Sequence, residues 1–384
     1  MHRRITILGS TGSIGCAALD VIAALGSDFQ VAALAAGRDW RKLAEQSRRF
    51  NVAHVAIADE RAAGELRCAC GDATRVHAGA AGLVEMVREV ETDLVLAAIV
   101  GAGGLASTLA AVERGVDVAL ANKESLVVAG SVIVPLAART GSRLLPVDSE
   151  HSAVFQAMQA GRREEVAKIY LTASGGPFRT WSTERIASAT LEDALRHPTW
   201  RMGPKVTIDS ATMMNKALEV IEAVHLFGVT PDEIEVLVHP EAIVHSMVEF
   251  RDGSVVAQLG APDMKTPIQY ALTYPRRAAG IAPRLSWRDV RRLSFEPPDL
   301  ERFPLLRLGF DAARHGGTSG SVFNAANEAA VERFRAGEIP FGSIADLVEQ
   351  VYGRRRTDPK PGLEELLAAD AWARREVSGC RVHS

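Results

Sequence analysis

Cysteine is scarce in this chain: Cys16, Cys68, Cys70 and Cys380 are four in 384 residues, and no two have zinc-site or thioredoxin spacing. A disulfide framework and a structural zinc are thereby excluded, and a reducing, cytoplasmic compartment is expected. No cysteine lies between Cys70 and Cys380, which removes the thiol nucleophile that a semialdehyde dehydrogenase needs in its second domain. A large net charge is absent as well. The formal charge of −3 and pI of about 6.4 give no general attraction to phosphate polymers or anionic lipid, so nucleic-acid and membrane-surface roles are excluded and any phosphate must be bound locally. No apolar run reaches membrane-spanning length, and Met1-His2-Arg3-Arg4 passes straight into Ile5–Leu8 with no apolar signal core. There is no internal repeat and no low-complexity tract.

What is present describes a globular enzyme. Hydrophobic residues make up 47% and charged residues 24%, enough to bury a core, and 384 residues exceed what a single core usually supports. Short apolar runs at 5–8, 31–35, 55–58, 94–99, 118–120 and 144–147 alternate with helical patterns, the signature of βαβ units and a parallel, Rossmann-type sheet. A strand over 168–173 and a hairpin over 243–259, with a two-residue turn at Asp252-Gly253, predict a central α+β domain. Prolines 275, 283, 297, 298 and 304 mark a surface linker, and periodic segments 322–334, 343–352 and 363–377 predict C-terminal helices. The resulting α/β layout is a nucleotide-binding domain over 1–148, a catalytic domain over 149–274, a linker over 275–304 and a helical domain over 305–384.

The first strand runs into Gly9-Ser10-Thr11-Gly12-Ser13-Ile14-Gly15 and then a helical stretch. Glycines let backbone approach a pyrophosphate, and the helix start offers free amides to it, so a dinucleotide is expected although the spacing is G-x-x-G-x-x-G. At the end of the second strand a carboxylate would select NAD. Here Gly37-Arg38-Asp39 stand there; Arg38 suits a 2′-phosphate, provided that Asp39 points away, so NADPH is expected. A solvated surface charge is the alternative for Arg38. After another short strand, Asn122-Lys123-Glu124 face the crevice at a strand end: Lys123 suits a substrate oxygen, Asn122 and Glu124 the nicotinamide ribose, with a plain helix cap as the competing reading.

The chemistry concentrates in two places. Asp148-Ser149-Glu150-His151 follows the strand 144–147; an extended segment would project Asp148 and Glu150 to one side. Asn215-Lys216-x-x-Glu219 puts polar groups on one helical face among apolar neighbours, although a surface helix with a Lys–Glu pair has the same spacing. Three carboxylates without a matching excess of His or Cys suit an oxygen-seeking Mg²⁺ or Mn²⁺ held by Asp148, Glu150 and Glu219. Ser174, in Ser174-Gly175-Gly176-Pro177, and Ser210, in Asp209-Ser210-Ala211-Thr212, add hydroxyls that with Asn215 and Lys216 can hold a phosphate monoester, helix capping being the alternative for each serine. His197-Pro198-Thr199-Trp200-Arg201-Met202-Gly203 has the make-up of a lid, its alternative being a core Trp.

These segments, together with His239–Thr266 and its Gly260-Ala261-Pro262-Asp263-Met264, resemble in order and content the 1-deoxy-D-xylulose 5-phosphate reductoisomerase family of isoprenoid biosynthesis. The resemblance implies an NADPH-dependent oxidoreductase, a homodimer, that rearranges 1-deoxy-D-xylulose 5-phosphate and reduces the product to 2-C-methyl-D-erythritol 4-phosphate. It implies metal ligation by Asp148, Glu150 and Glu219, with Glu150 and Lys123 at the reacting oxygens. Substrate contacts fall to Lys123, Ser149, Ser174, His197, Trp200, Ser210, Asn215 and Lys216. Cofactor contacts fall to Thr11, Gly12, Ser13, Ile14, Gly37, Arg38, Asn122, Glu124 and Gly203. The chain departs from the commonest members at Gly37-Arg38-Asp39, Thr199 and Arg201. A retroaldol–aldol pair and an alkyl shift use the same residues. A dehydrogenase without rearrangement and a non-catalytic nucleotide-sensing module are the rival classes.

Overall fold

The computed structural model describes residues 3–381, so Met1 and His2 of the N-terminal reading lie outside the described residues. The described residues form two compact units: 3–125, 133–152 and 263–283 in one, and 126–132, 153–262 and 284–381 in the other.

The first unit is built on seven strands: β1 (Arg3–Leu8), β2 (Phe29–Ala36), β3 (His54–Ile57), β4 (Arg75–Ala78), β5 (Leu94–Ala97), β6 (Asp117–Leu120) and β7 (Leu144–Pro146). Their order is β4-β3-β2-β1-β5-β6-β7, and all six pairings are parallel. Ile5, Ile7, Leu34, Val95, Leu96 and Val118 are fully buried, as expected of strands covered on both faces. The order reverses between β1 and β5, and such a switch point opens the crevice in which doubly wound folds bind ligands. Six of these strands match the apolar runs of the sequence; β4 is additional. Helix Lys265–Thr273 packs against helix Ser13–Leu25 in this unit, and the Arg3 guanidinium donates to the Leu272 carbonyl at 2.6 Å.

The second unit carries a mixed four-stranded sheet, β11-β10-β8-β9, from β8 (Val166–Ala173), β9 (Ile234–Val238), β10 (Val244–Phe250) and β11 (Val255–Leu259). β8 runs parallel to β9 and antiparallel to β10, and β10 and β11 form the expected hairpin. Its turn has three residues, not two: Phe250 and Ser254 close the ladder at 2.9 Å, and Gly253 takes a positive φ of 84°. The Asp252 carboxylate accepts from Ser254 N–H, so Arg251 is drawn into the loop. Helix Met214–Phe227 is buried along most of its length, which removes the surface-helix reading. Helices Pro304–His315, Ser319–Arg335, Ser343–Gly353 and Leu363–Gly379 share its apolar core. The segment expected to be a linker is irregular, apart from a bridge between Val238 and Glu296. Among the described residues no helix is long and apolar enough to cross a membrane.

Candidate functional site

The glycine-rich turn joins β1 to helix Ser13–Leu25. Gly9 has a φ of +88°, and a Cβ there would meet the Ala98 carbonyl oxygen at 2.5 Å, so only glycine lets the turn pass this close to the end of β5. Gly12 caps the helix with no side-chain hydrogen bond and is exposed, leaving the first-turn amides without a capping side chain. That is the arrangement a pyrophosphate requires, so the residues fit a dinucleotide. Thr11, Ser13 and Ile14 flank this opening. Gly37, Arg38 and Asp39 are exposed after β2, and the Asp39 carboxylate accepts from Lys42 N–H at 3.1 Å as the cap of helix Trp40–Phe50. The acid that would repel a 2′-phosphate is committed to its own helix, while Arg38 stands beside it.

Asn122 is buried and caps helix Lys123–Thr140, accepting from Ser125 N–H at 2.8 Å. Its amide nitrogen donates to the Gly101 carbonyl at 2.9 Å and to Glu124 at 3.1 Å. Asn122 thus serves as the helix cap and ties the ends of β5 and β6 together, which fixes it at the mouth of the crevice. Lys123 reaches Asp148, with Nζ 2.6 Å from Oδ2. The segment 148–150 is not extended as the alternation argument requires: β7 ends at Pro146, and Ser149 and Glu150 open helix Ser149–Ala157. The first helical turn nevertheless brings a carboxylate oxygen of Asp148 within 4.8 Å of one of Glu150. Ser149 donates its hydroxyl to Glu150. Two hard oxygen donors beside one ammonium fit an Mg²⁺- or Mn²⁺-type ion better than a soft metal.

In the second unit, the strained Met213, φ +59°, separates helix Pro204–Ala211, which carries Ser210, from helix Met214–Phe227. Asp209–Ala211 therefore close a helix, so Ser210 does not cap the start of the next. From the first turn of the second helix, Asn215 donates to Glu219 Oε1 at 2.6 Å and Lys216 pairs with Oε2. Lys216 is 3% exposed and Glu219 not at all, so each charge is buried with its partner, since an isolated one would be prohibitively costly. A carboxylate oxygen can accept more than one bond, so these contacts are compatible with a role as a cation ligand.

Ser174 lies after β8 at a turn containing Gly176, whose φ is +67° and whose Cβ would strike the Ser210 carbonyl oxygen at 2.4 Å. Only glycine lets the two serine-bearing segments approach so closely. His197 Nδ1 accepts from the amides of Thr199 and Trp200 at 3.1 and 2.9 Å, which leaves the proton on Nε2, 3.0 Å from Ser174 Oγ. Gly176 N–H also donates to Ser174 Oγ, at 3.2 Å. The hydroxyl accepts twice, which leaves its own hydrogen to donate. Trp200 is half-buried, its ring 6.3 Å from that of His245, so the core-Trp alternative fails. Arg201 and Gly203 are exposed.

Two other clusters are structural. His77, Glu85 and Glu89 could group around a metal, but Arg75 already pairs with both glutamates at 2.9 and 2.8 Å and supplies their cation. Burial and then the adjacent His77 ring hold the neighbouring His54 below the ordinary imidazole value. The buried His239 accepts from the amides of Ile243 and Val244 and donates to the Ser294 carbonyl, fixing the loop before β10.

Family models described as 1-deoxy-D-xylulose 5-phosphate reductoisomerase, its C-terminal domain and the DXP reductoisomerase C-terminal domain match residues 5–130, 144–227 and 259–376. The reductoisomerase of Chloroherpeton thalassium is 50% identical over 376 residues, 98% of this chain and 97% of its own length. The chain belongs to the 1-deoxy-D-xylulose 5-phosphate reductoisomerase family. A second reductoisomerase, from Symbiobacterium thermophilum, is 52% identical over 97% of both chains. Among solved structures, the Zymomonas mobilis reductoisomerase in complex with NADPH matches with a TM-score of 0.92 and 44% identity over 98% of both chains. A reductoisomerase complex with NADPH, fosmidomycin and magnesium matches at 0.91 and 39% identity, over 98% of this chain and 97% of that one.

Sequence reasoning passed over three reductoisomerase residues that sit behind these sites. Lys42 and Gln46 bond the glycine-rich turn. Asp209, one residue before Ser210, is buried between Lys205 Nζ at 2.8 Å and Asn327 Nδ2 at 2.9 Å.

Proposed function

We infer that this protein carries out the NADPH- and divalent-metal-dependent rearrangement and reduction of 1-deoxy-D-xylulose 5-phosphate to 2-C-methyl-D-erythritol 4-phosphate. The observation that carries this reading is the pairing of Asp148 and Glu150 oxygens within 4.8 Å at the end of β7, in a chain 50% identical to a reductoisomerase over nearly its whole length. The reading assigns metal ligation to Asp148, Glu150 and Glu219. A divalent cation held there would supply Lewis acidity toward the substrate's oxygens. NADPH supplies the hydride.

The chain's own residues do the rest. Ser174 directs its free hydroxyl hydrogen at a phosphate oxygen, because both its acceptor positions are filled. Ser210, Asn215 and Lys216 add donors without general basicity. Lys123, already paired with Asp148, holds a substrate oxygen, with Ser149 beside it. Glu150 moves the hydroxyl proton as general base. Trp200, with His197 anchoring its loop, covers the substrate and excludes water. Thr11 to Ile14 cradle the pyrophosphate, Gly37 and Arg38 receive the 2′-phosphate, and Asn122, Glu124 and Gly203 lie toward the nicotinamide end.

In this reading residues 1–148 bind NADPH and contribute Lys123 and Asp148 to the substrate and metal site, 149–274 hold the remaining metal and substrate groups although 263–274 pack within the first unit, 275–304 link, and 305–384 support. Manganese can replace magnesium, since all three proposed ligands are oxygen donors. A cytoplasmic homodimer is supported by cysteine scarcity and by β11, an outer strand with Val255 half exposed. The test is NADPH oxidation on adding 1-deoxy-D-xylulose 5-phosphate with Mg²⁺, followed by NMR of product carbon connectivity. A branched skeleton is expected; a reduced, unrearranged skeleton would favour the simple dehydrogenase.

A further inference from the structure

Helix Trp40–Phe50 grips the phosphate-binding turn at two points. Gln46 is 7% exposed, although glutamine is rarely buried without a reason. Its Oε1 accepts from Ser10 Oγ at 2.8 Å, and its Nε2 donates to the Ser10 carbonyl at 2.9 Å, so the amide is satisfied at both ends by one residue. One helical turn earlier, Lys42 Nζ donates to the Thr11 carbonyl at 2.9 Å. Two consecutive carbonyls of the turn are thus drawn toward this helix. In a trans peptide the C=O and the following N–H point in opposite directions, so the Thr11 amide is aimed away from the helix. Ser10 is itself fixed from below, where its amide and that of Gly9 both donate to the Ala35 carbonyl at 2.8 and 2.9 Å. The same helix begins at Asp39, directly after Arg38, so one rigid element carries both the brace and the start of the 2′-phosphate loop.

We propose that Gln46 and Lys42 are positioning residues that preset the glycine-rich turn, so that affinity for the dinucleotide's pyrophosphate is set from behind the site. The proposal rests on the NADPH-binding reading and extends it to two side chains with no contact to the reacting atoms. Because the brace acts on the pyrophosphate, which NADPH and NADH share, its loss weakens both cofactors equally. A residue reading the 2′-phosphate changes their ratio instead.

The experiment measures NADPH and NADH dissociation constants, by cofactor fluorescence on the full chain, for wild type, Gln46→Leu, Lys42→Met and Arg38→Ala, with thermal midpoints recorded alongside. Losing one brace should weaken both cofactors about tenfold, as expected for hydrogen bonds that hold a buried turn. The NADPH-to-NADH ratio and the affinity for a phosphonate substrate mimic should stay as in wild type, whereas Arg38→Ala should lower the ratio. Gln46→Leu empties a buried polar position; Lys42 is only partly buried, so Lys42→Met tests the brace even if the first variant folds poorly. Folded variants that bind both cofactors as tightly as wild type would overturn the brace. A wild-type protein that binds neither cofactor would overturn the underlying function instead.

Discussion

His197 donates its Nε2 hydrogen to Ser174 Oγ across 3.0 Å, because its Nδ1 is already taken by two backbone amides. The direction of that bond decides the chemistry. A histidine that activates a serine accepts the hydroxyl proton; this one donates instead, which supports the proposed binding role of Ser174. Ser174→Ala should raise KM for the sugar phosphate by roughly ten- to a hundredfold, the value of one hydrogen bond to a charged group, with a much smaller change in kcat. Steady-state kinetics with saturating NADPH measures this. Covalent labelling of Ser174 by a serine-directed phosphonate would contradict the assignment.

Gly176 joins the Ser174 turn to the Ser210 segment through a contact that leaves no room for a methyl group. Gly176→Ala combines a positive φ with a steric clash and should cost about 1–3 kcal/mol of stability from the backbone alone. It should also raise the substrate KM by displacing Ser210, while NADPH affinity holds. Urea denaturation and binding titrations read the two effects separately.

His225, in helix Met214–Phe227, is half-buried among apolar neighbours, and the loss of solvent around its ring lowers its pKa from 6.5 to about 4. Its unfolded form accepts a proton near pH 6.5, whereas the folded form resists until near pH 4. The unfolded state therefore binds more protons in that window, and stability falls as pH drops from about 6.5 to about 4, by roughly 3 kcal/mol at most. Urea midpoints across this range should show the loss in wild type and a shallower one in His225→Leu. Equal slopes would remove His225 as the cause.

Much of the first unit was legible because parallel strands buried on both faces appear as apolar runs, and six of seven did. β4 reads Arg-Val-His-Ala, too short and polar to stand out; it is a strand because it pairs with β3 at the sheet edge. Helix Pro304–His315 is masked by the prolines before it, although Pro304 opens the helix, where a missing N–H costs nothing. The Asp252-Gly253 pair marks the hairpin correctly but cannot reveal that the register closes at Phe250 and Ser254. At the site, Asn215, Lys216 and Glu219 were legible because helical spacing alone brings them together. Gln46 and Asp209 were not: Gln46 bonds a residue 36 positions away, Asp209 bonds Asn327 118 positions away besides a local Lys205 that reads as an ordinary helical pair, and no local pattern marks a polar side chain for burial.

The proposed function requires acids from two separate stretches of chain to serve one cation. The direct measurement is Mn²⁺ binding, followed by electron paramagnetic resonance in the presence of NADPH, for wild type, Asp148→Asn, Glu150→Gln and Glu219→Gln. The account predicts that each variant loses Mn²⁺ affinity by about tenfold or more while keeping NADPH affinity, as expected when one carboxylate leaves a shared oxygen set. Glu219→Gln binding Mn²⁺ as tightly as wild type, with Asp148→Asn impaired, would contradict it.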